Sequence, residues 1–573
     1  MTDSNPDAGS HPTEPASDQD GASSIHSPFA SQREPNFPLR IAIVAITAAV
    51  IVFLLQQFVS ERDHQNANLF SFGVIGIALL TILLQLFRLA RNHGYPLLVP
   101  VMTIAMAAVF GSLYRFEGFS GEMVPDFKLR FGRANQPGRV PIDEASGNAI
   151  AKLEPSERTI AAADSTGFLG NLRNGYIPKR KFEMPSNTSE AEVLWRQGIG
   201  EGWSGFAVTQ DRAITLEQRD ATESLTCYRL GDGALLWAVS HQARHEHPLG
   251  GIGPRSTPTI MGDRVYALGA TGMLLCIEIA SGEQVWNADL LELAGWNQAE
   301  SETAIPWGRS ASPLLVDGLC IVPLGGPSDP AISASDLAKS GRGLVAFDAA
   351  NGEIRWSAGE DQISYASPML MTLAGQRQVV IVNESSISGH RIDSGKVLWS
   401  FSWPGQTNTS ANCSSVVLAD DDRFLVGKGY GGGSALVEVT ADANGKLNAE
   451  AVWQSGRVLK TKFANTVVVN DTAYALSNGS LEAVAIAEGE QRWRQPRRER
   501  SGQGQILVAE DLIVVQDEAG DLLFVSLDEE QYQQELRMPA LNSKTWNVPT
   551  IAGRHLIVRN DREAICFLLP SRD

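Results

Sequence analysis

The chain has 573 residues, a formal net charge of −18 and 43% hydrophobic residues. That length exceeds what one ordinary core organises, so several domains or one large repeat array are expected. The acidic balance speaks against a nucleic-acid partner, whose phosphates would repel it, and the short basic run RQPRRER at 494–500 reads as a solvated loop.

Residues 1–38 are rich in Ser, Pro, Asp and Gln and poor in aliphatics, which predicts a disordered tail. Three uncharged apolar segments follow at 41–59, 69–87 and 96–114, each close to the ~20 residues that a bilayer core requires. Their tandem arrangement with short polar joints predicts three transmembrane helices within 39–116, the third interrupted by Pro96, Pro100 and Gly111. A long acidic tail does not look like a cleaved signal peptide, which starts with a short basic region, and it lacks a lipoprotein cysteine. Arg33 and Arg40 in the tail and Arg88 and Arg91 in the second joint put both on the cytoplasmic side. The first joint has Arg62 between Glu61 and Asp63. Three crossings then place the rest of the chain on the periplasmic side of the inner membrane, despite Arg115, Lys128, Arg130 and Arg133 after the last segment. Residues 117–190 are expected to be an extracytoplasmic linker, in which GFLGNLRNGYIP (167–178) is the stretch that would lie against the following domain.

From residue 191 the sequence repeats itself. CYRLGDGALLW, CIEIASGEQVW, AFDAANGEIRW, GHRIDSGKVLW and AVAIAEGEQRW all place a Gly four residues before a Trp: Gly233, Gly282, Gly352, Gly395 and Gly489. A sixth copy with a longer turn ends at Trp453. Upstream of these phrases lie blocks such as STPTIMGDRVYALGATG (from Ser256) and ASPLLVDGLCIVPLGG (from Ala311). Eight such blocks recur at spacings of about forty to fifty-five residues, each reading as four short strands between Gly, Asp and Asn turns. The fold expected is all-β, an eight-bladed β-propeller of four-stranded blades over 191–573. The eighth unit runs out near Pro570, and AEVLWRQ (191–197) supplies its missing strand, closing the ring and removing an open edge.

Trp237, Trp286, Trp356, Trp399, Trp453 and Trp493 are then packing anchors between blades, each able to bury roughly 150–250 Å². Six residues before the turn Gly stand Cys227, Cys276, Ala346, Gly389 and Ala483, a position for a small side chain, and Cys566 falls in the matching strand of the last unit. An odd cysteine count without paired spacing argues against a disulfide framework.

The pattern DRVYALGATGMLLCIEIASGEQVW resembles the quinoprotein-type propeller repeat, a family that includes quinone-dependent alcohol and glucose dehydrogenases and the propeller subunit of the bacterial outer-membrane assembly machinery. GIGEGWSGFAVTQDRAITLEQRD and GGIGPRSTPTI are similar to the membrane-anchored bacterial form with pyrroloquinoline-quinone-like (PQQ-like) repeats. The resemblance covers about 191–573. For the dehydrogenases it implies a quinone on the axis against a Trp, beneath a disulfide of adjacent cysteines, with Ca²⁺ held by acidic and amide side chains. This chain has no adjacent Cys pair and no CxxCH haem site, and candidate acids such as Glu217 stand singly. No metal is expected, and His241, His245 and His247 read as an inter-blade loop.

The residues ahead of each innermost strand should ring the channel mouth: Trp203, Arg255, Arg309, Tyr365, Asn412, Lys462, Gln503 and Trp546. Cations and aromatics around one axis suit an anionic or planar ligand, whether a small molecule or a glycan. With no catalytic residues identified, the function expected is a binding or assembly scaffold whose partners are envelope proteins. The alternative is a PQQ-dependent dehydrogenase oxidising alcohols or sugars, with Ca²⁺ as its companion ion; no cofactor is firmly expected.

Overall fold

A computed structural model describes residues 36–131, 164–326, 343–405 and 411–572. The tail expected over 1–38 lies outside the described residues up to 35, as does Arg133.

Helix α1 (Phe37–Leu54) starts with a proline in its first turn and runs into a π-helical turn, Leu55–Val59. Helix α2 (His64–Asn92) starts at Asp63, whose carboxylate accepts the Gln65 N–H at 2.8 Å. These two stretches are long and apolar enough to cross a bilayer. Helix α3 (Leu98–Leu113) is not: its 16 residues fall short of the ~20 required. The expected third span of 96–114 is shortened at both ends. Tyr95–Leu97 form the turn out of α2, and at Tyr114 the chain becomes a strand. That strand, β1 (Tyr114–Phe119), forms a hairpin with β2 (Pro125–Leu129).

Eight four-stranded antiparallel meanders follow, arranged as the blades of a propeller. The first strand of each, such as Thr259–Met261 in blade two and Leu314–Val316 in blade three, touches its counterpart in the next blade, so these strands ring the axis. The core lies between blades. Ile214 and Leu225 of blade one pack on Val265 and Ile277 of blade two, and the same layering continues around the ring. Strand β4 (Glu192–Gly198) is the outermost strand of blade eight, pairing with Glu563–Leu568.

The repeated phrase has a single geometry. The small residue six before the Gly stands directly across from the Trp: Cys227 pairs with Trp237, Cys276 with Trp286, Ala346 with Trp356 and Cys566 with Trp195. A bulge follows at once in each pair. The Gly adopts positive φ and also makes room for the indole of the preceding blade. A Cβ on Gly352 would lie 2.8 Å from the Trp286 ring, and one on Gly282 equally close to Trp237. Four of these indoles donate N–H to the carbonyl three residues ahead of that Gly: Trp237 to Ile279 at 2.8 Å, Trp286 to Ala349 at 3.0 Å, Trp356 to Ile392 at 2.9 Å and Trp453 to Ile486 at 2.8 Å, whereas the Trp399 indole donates to Gln378 Oε1 at 2.5 Å within its own blade. Blade-to-blade adhesion is therefore a Trp laid on a glycine and tied by a hydrogen bond.

Residues 164–190 pack onto the propeller. Ser165 bridges Val208 of blade one, and Ile260 of blade two donates to the Thr166 carbonyl at 2.7 Å. Arg173 reaches blades three and four, and β3 (Tyr176–Ile177) adds in parallel to the innermost strand of blade seven. Phe182 is fully buried beneath blades seven and eight. The segment thus crosses the axis and closes one end of the channel.

Candidate functional site

Above this plug lies an axial chamber of about 170 Å³. A ring of hydrogen bonds girdles it just ahead of the innermost strands. Gly205 N–H donates to Thr257 Oγ1 (3.2 Å), Thr257 N–H to Ser312 Oγ (2.9 Å), Ser312 N–H to Ser367 Oγ (2.9 Å), Ser367 N–H to Ser415 Oγ (3.0 Å) and Ser415 N–H to Asn465 Oδ1 (2.8 Å). Blades two to six each satisfy the backbone of their predecessor, so a loop that would otherwise bury an unpaired N–H is locked in place.

Two residues earlier in each blade come the walls: Trp203, Arg255, Ser310, Tyr365, Cys413, Phe463 and Trp546 line the chamber, with Trp307 and Tyr430 beside them. The rings touch one another: Trp203 and Trp546 lie 4.8 Å apart, Phe463 and Trp546 5.3 Å, and Trp307 and Tyr365 5.0 Å. Phe168 of the plug lines the floor.

The roof comes from the N-terminal part of the chain. Gln65 of α2 and the β1–β2 turn (Ser120, Gly121, Met123) complete the lining. Lys462 Nζ donates to Gln65 Oε1 and to the Gly121 carbonyl. Gly121 N–H donates to Glu518, whose carboxylate also takes the Trp546 indole N–H at 2.8 Å and the Gln503 N–H at 2.9 Å. A Cβ at Gly121 would lie 2.5 Å from the Gln503 side chain, so only glycine closes the roof this tightly. Beside it, the α1–α2 joint docks on blade six, where Lys460 donates to the Glu61 and Arg62 carbonyls, Arg497 to Ser60 Oγ at 2.7 Å, and Arg500 pairs with Glu122.

The expected rim residues separate into two groups. Trp203, Arg255, Tyr365, Lys462 and Trp546 line the chamber. Arg309, Asn412 and Gln503 do not. Arg309 is buried between blades, donating to the Pro323 carbonyl at 3.2 Å and lying over Trp296 at 5.6 Å. Asn412 Nδ2 donates to the Asn383, Glu384 and Trp403 carbonyls. In those blades Ser310 and Cys413 hold the wall position, because in extended chain a shift of one residue turns a side chain from one face to the other. Gln503 sits under the roof against Gly121. Glu217 is fully buried away from the chamber. It accepts from Gly200 N–H (2.8 Å), Thr226 (2.8 Å) and Tyr228 (2.6 Å) and pairs with Arg219 at 2.8 Å. Burial works against the Glu217 anion, but Arg219 and Arg559 outweigh it and hold the carboxyl below its usual range.

Among the described residues no carboxylate lines the chamber. Arg255 donates to the Gly253 carbonyl at 2.9 Å and to that of Gly250; its open surface faces the chamber itself, and this enclosure pushes its pKa down to about 10. Lys462 stands 4.6 Å from the centre of the Tyr430 ring, and burial lowers its pKa against the raising influence of Asp63, Glu518 and Glu122. Burial also raises the Cys413 thiol to about 12, so it is no nucleophile at neutral pH. The histidines do not converge. His247 accepts the Leu249 and Gly250 N–H groups, His245 is buried against Gly308, and His241 faces Glu223 at 3.5 Å. Among the described residues no three His, Cys, Asp or Glu side chains assemble into a cation cage.

The girdle was missed by sequence reasoning; the stretch 167–178 was expected to lie against the propeller and does, but its place across the axis was not foreseen. The girdle has a sequence signal, since the repeat blocks align Thr257, Ser312, Ser367, Ser415 and Asn465 in one column of small polar side chains. The roof has none, because its contacts join residues hundreds of positions apart.

The protein family described as outer membrane protein assembly factor BamB matches residues 186–327, 221–454, 333–535 and 420–568. No curated protein matches the chain. Among solved structures the chain is similar to BamB from Moraxella catarrhalis, with 14% identity over 66% of this chain and 100% of that one and a TM-score of 0.45. It is also similar to the quinohemoprotein alcohol dehydrogenase ADHIIG from Pseudomonas putida HK5 (11% identity, 72% and 81% of the two chains, TM-score 0.48) and to Sqt1 from Saccharomyces cerevisiae (10%, 67% and 99%, 0.45).

Proposed function

Because the chain belongs to the propeller family of the outer membrane protein assembly factor BamB, we propose that it is a membrane-anchored scaffold that grips other proteins of the bacterial envelope. The observation that carries this reading is the axial chamber. It is bounded at one end by residues 164–177 and at the other by Gln65 and the β1–β2 turn, and among the described residues no carboxylate lines it. Work done by the protein then falls to its outer faces.

The alternative, a PQQ-dependent dehydrogenase, fits the lining poorly. Ca²⁺ takes about six to eight oxygens, carboxylates among them, and an alcohol oxidation needs a base. Arg255 and Lys462 would repel the ion, and among the described residues the lining supplies no carboxylate to hold it. The same two cations, amid Trp203, Trp307, Tyr365 and Trp546, favour a small planar anion as the chamber's own occupant.

We read three crossings of the inner membrane, and the docking supports this reading. The α1–α2 joint and the residues after α3 both touch the propeller, while α2 leads away from it by about 40 Å. On this reading α3 brings the chain back, and its short span of about 24 Å asks for tilt-free packing or local thinning of the bilayer. Arg40, Arg88 and Arg91 favour the cytoplasm for the far ends, which leaves the propeller in the periplasm.

The test is titration of the detergent-purified full chain with PQQ and Ca²⁺, with dye reduction by alcohols and sugars, alongside photo-crosslinking from the outer blade hairpins in cells. Discrete adducts with identified envelope proteins, and no dye reduction, are expected. Saturable quinone binding with dye reduction would overturn the scaffold. Anion binding that Arg255→Ala weakens would support the chamber's proposed occupant.

A further inference from the structure

The β1–β2 hairpin has two unlike faces. Its register pairs Tyr114 with Leu129 and Phe116 with Phe127 on one face, and Arg115 with Lys128 on the other. The second face is turned to the propeller: Lys128 Nζ donates to the Asn542 carbonyl at 3.1 Å, Glu117 lies 3.7 Å from Arg562, and Lys544 donates to the Phe119 carbonyl at 2.8 Å. Among the described residues the first face is left exposed. Phe116, Phe127 and Leu129 are 51%, 44% and 53% exposed. Phe110, the fourth residue from the end of α3, extends this surface, stacking on Tyr114 at 4.9 Å and meeting Phe127 edge-on at 5.1 Å. The aromatic face is therefore continuous with the exposed apolar surface of α3. Arg130 Nε donates to the Gly111 and Tyr114 carbonyls (2.9 and 3.1 Å), which fixes an exposed cation where helix becomes strand.

We propose that this face lies in the lipid headgroup layer, so that the propeller sits on the bilayer with its roofed end towards the membrane instead of hanging from a tether. The proposal rests on the membrane-anchored reading. Two features select lipid as the occupant. The face begins where an apolar helix ends, which is the depth at which acyl chains give way to headgroups, and aromatic side chains favour that boundary. Arg130 at its edge is the complement of a lipid phosphate. The wedge also explains why the roof is built from the joint and the hairpin together: both emerge at the same level, directly under the chamber.

Spin labels on the full chain in nanodiscs of mixed neutral and anionic lipid test this. One label is placed at Phe127→Cys, one at Leu79→Cys in α2 and one at Asn444→Cys in an outer hairpin of blade five; the unsubstituted chain controls for the native cysteines, four of them buried. Phe127 and Leu79 should be reached by oxygen in preference to a water-soluble nickel chelate, and Asn444 the reverse. Oxygen preference at Leu79 with nickel preference at Phe127 would overturn the seating and leave the anchor intact. Shielding of Phe127 from both reagents would mean that protein covers the face, and would equally overturn it. Nickel preference at Leu79 would overturn the anchor itself. Phe116→Cys on the same face gives the same readout if Phe127→Cys does not fold.

Discussion

His64 and Asn478, 414 positions apart, hold the helices to the propeller: the His64 N–H donates to Asn478 Oδ1 at 3.1 Å, and Asn478 Nδ2 returns a hydrogen bond of 2.9 Å to the Ser60 carbonyl. Both bonds are buried, so one amide side chain satisfies a helix N-terminus and the turn before it.

Asn478→Gly isolates this clasp. The backbone there has φ 48°, which glycine adopts freely. The loss of two buried hydrogen bonds should cost the docked joint about 1–3 kcal/mol. Trypsin cleavage after Arg62 in the detergent-solubilised chain should then accelerate roughly 5- to 100-fold, because cleavage follows local opening. The unfolding midpoint of the blades should stay where it is. An unchanged cleavage rate would show that Lys460, Lys462 and Arg497 hold the joint without it.

The plug is tested at Arg173. Its guanidinium donates to the Pro313 (2.9 Å), Ser312 (3.1 Å) and Pro368 (3.2 Å) carbonyls, and burial without a carboxylate pushes its pKa down to about 10, still charged at neutral pH. Arg173→Met should destabilise by about 3 kcal/mol, by leaving three buried carbonyls unpaired. Arg173→Lys should recover only part, since an ammonium cannot fork across two blades. Chemical denaturation of the three proteins measures both.

The blades were legible because their signal is local. Gly352 and Trp356 fall within one hairpin, and their period exposes the repeat. What Gly352 does for Trp286 was not legible, since that contact joins two copies of the phrase. The channel wall was half legible for a similar reason. Trp203 and Arg255 could be placed by counting from the blocks, but irregular loops ahead of blades three and five shift the wall by one residue, to Ser310 and Cys413. The third apolar segment showed hydropathy over 96–114, yet where the helix stops is decided by the pairing of Tyr114 with Leu129.

A double-mutant cycle tests whether that Gly and Trp form one device. Trp286 is 7% exposed, and Trp286→Ala should cost about 3–5 kcal/mol. Gly352→Ala should cost about 1–3 kcal/mol, from its φ of 77° and from collision with the indole. In a Trp286→Phe background the collision is relieved and the backbone cost stays. The two changes should therefore couple by about 1 kcal/mol, as read from denaturation midpoints. Strict additivity would reduce Gly352 to a turn residue.

Glu223 gives the chain a stability that depends on pH. The side chain is fully buried between blades one and two. Oε2 accepts the Ala270 N–H at 2.8 Å, Oε1 makes no hydrogen bond, and the His241 ring is 3.5 Å away. Burial raises the Glu223 pKa to about 7, and the same burial lowers that of His241, which disfavours a compensating charge there. Between the usual glutamate pKa, near 4.5, and about 7, the folded chain keeps a proton that the unfolded chain has released. Stability from this group is thus fully present below that window and is lost as pH rises through 7. Glu223→Gln removes the titration. Relative to the natural chain it should be more stable at pH 8, by an amount on the order of 2–3 kcal/mol, and the difference should shrink towards pH 5. Denaturation of both proteins across that range measures it, and a difference independent of pH would show that folding does not raise the Glu223 pKa.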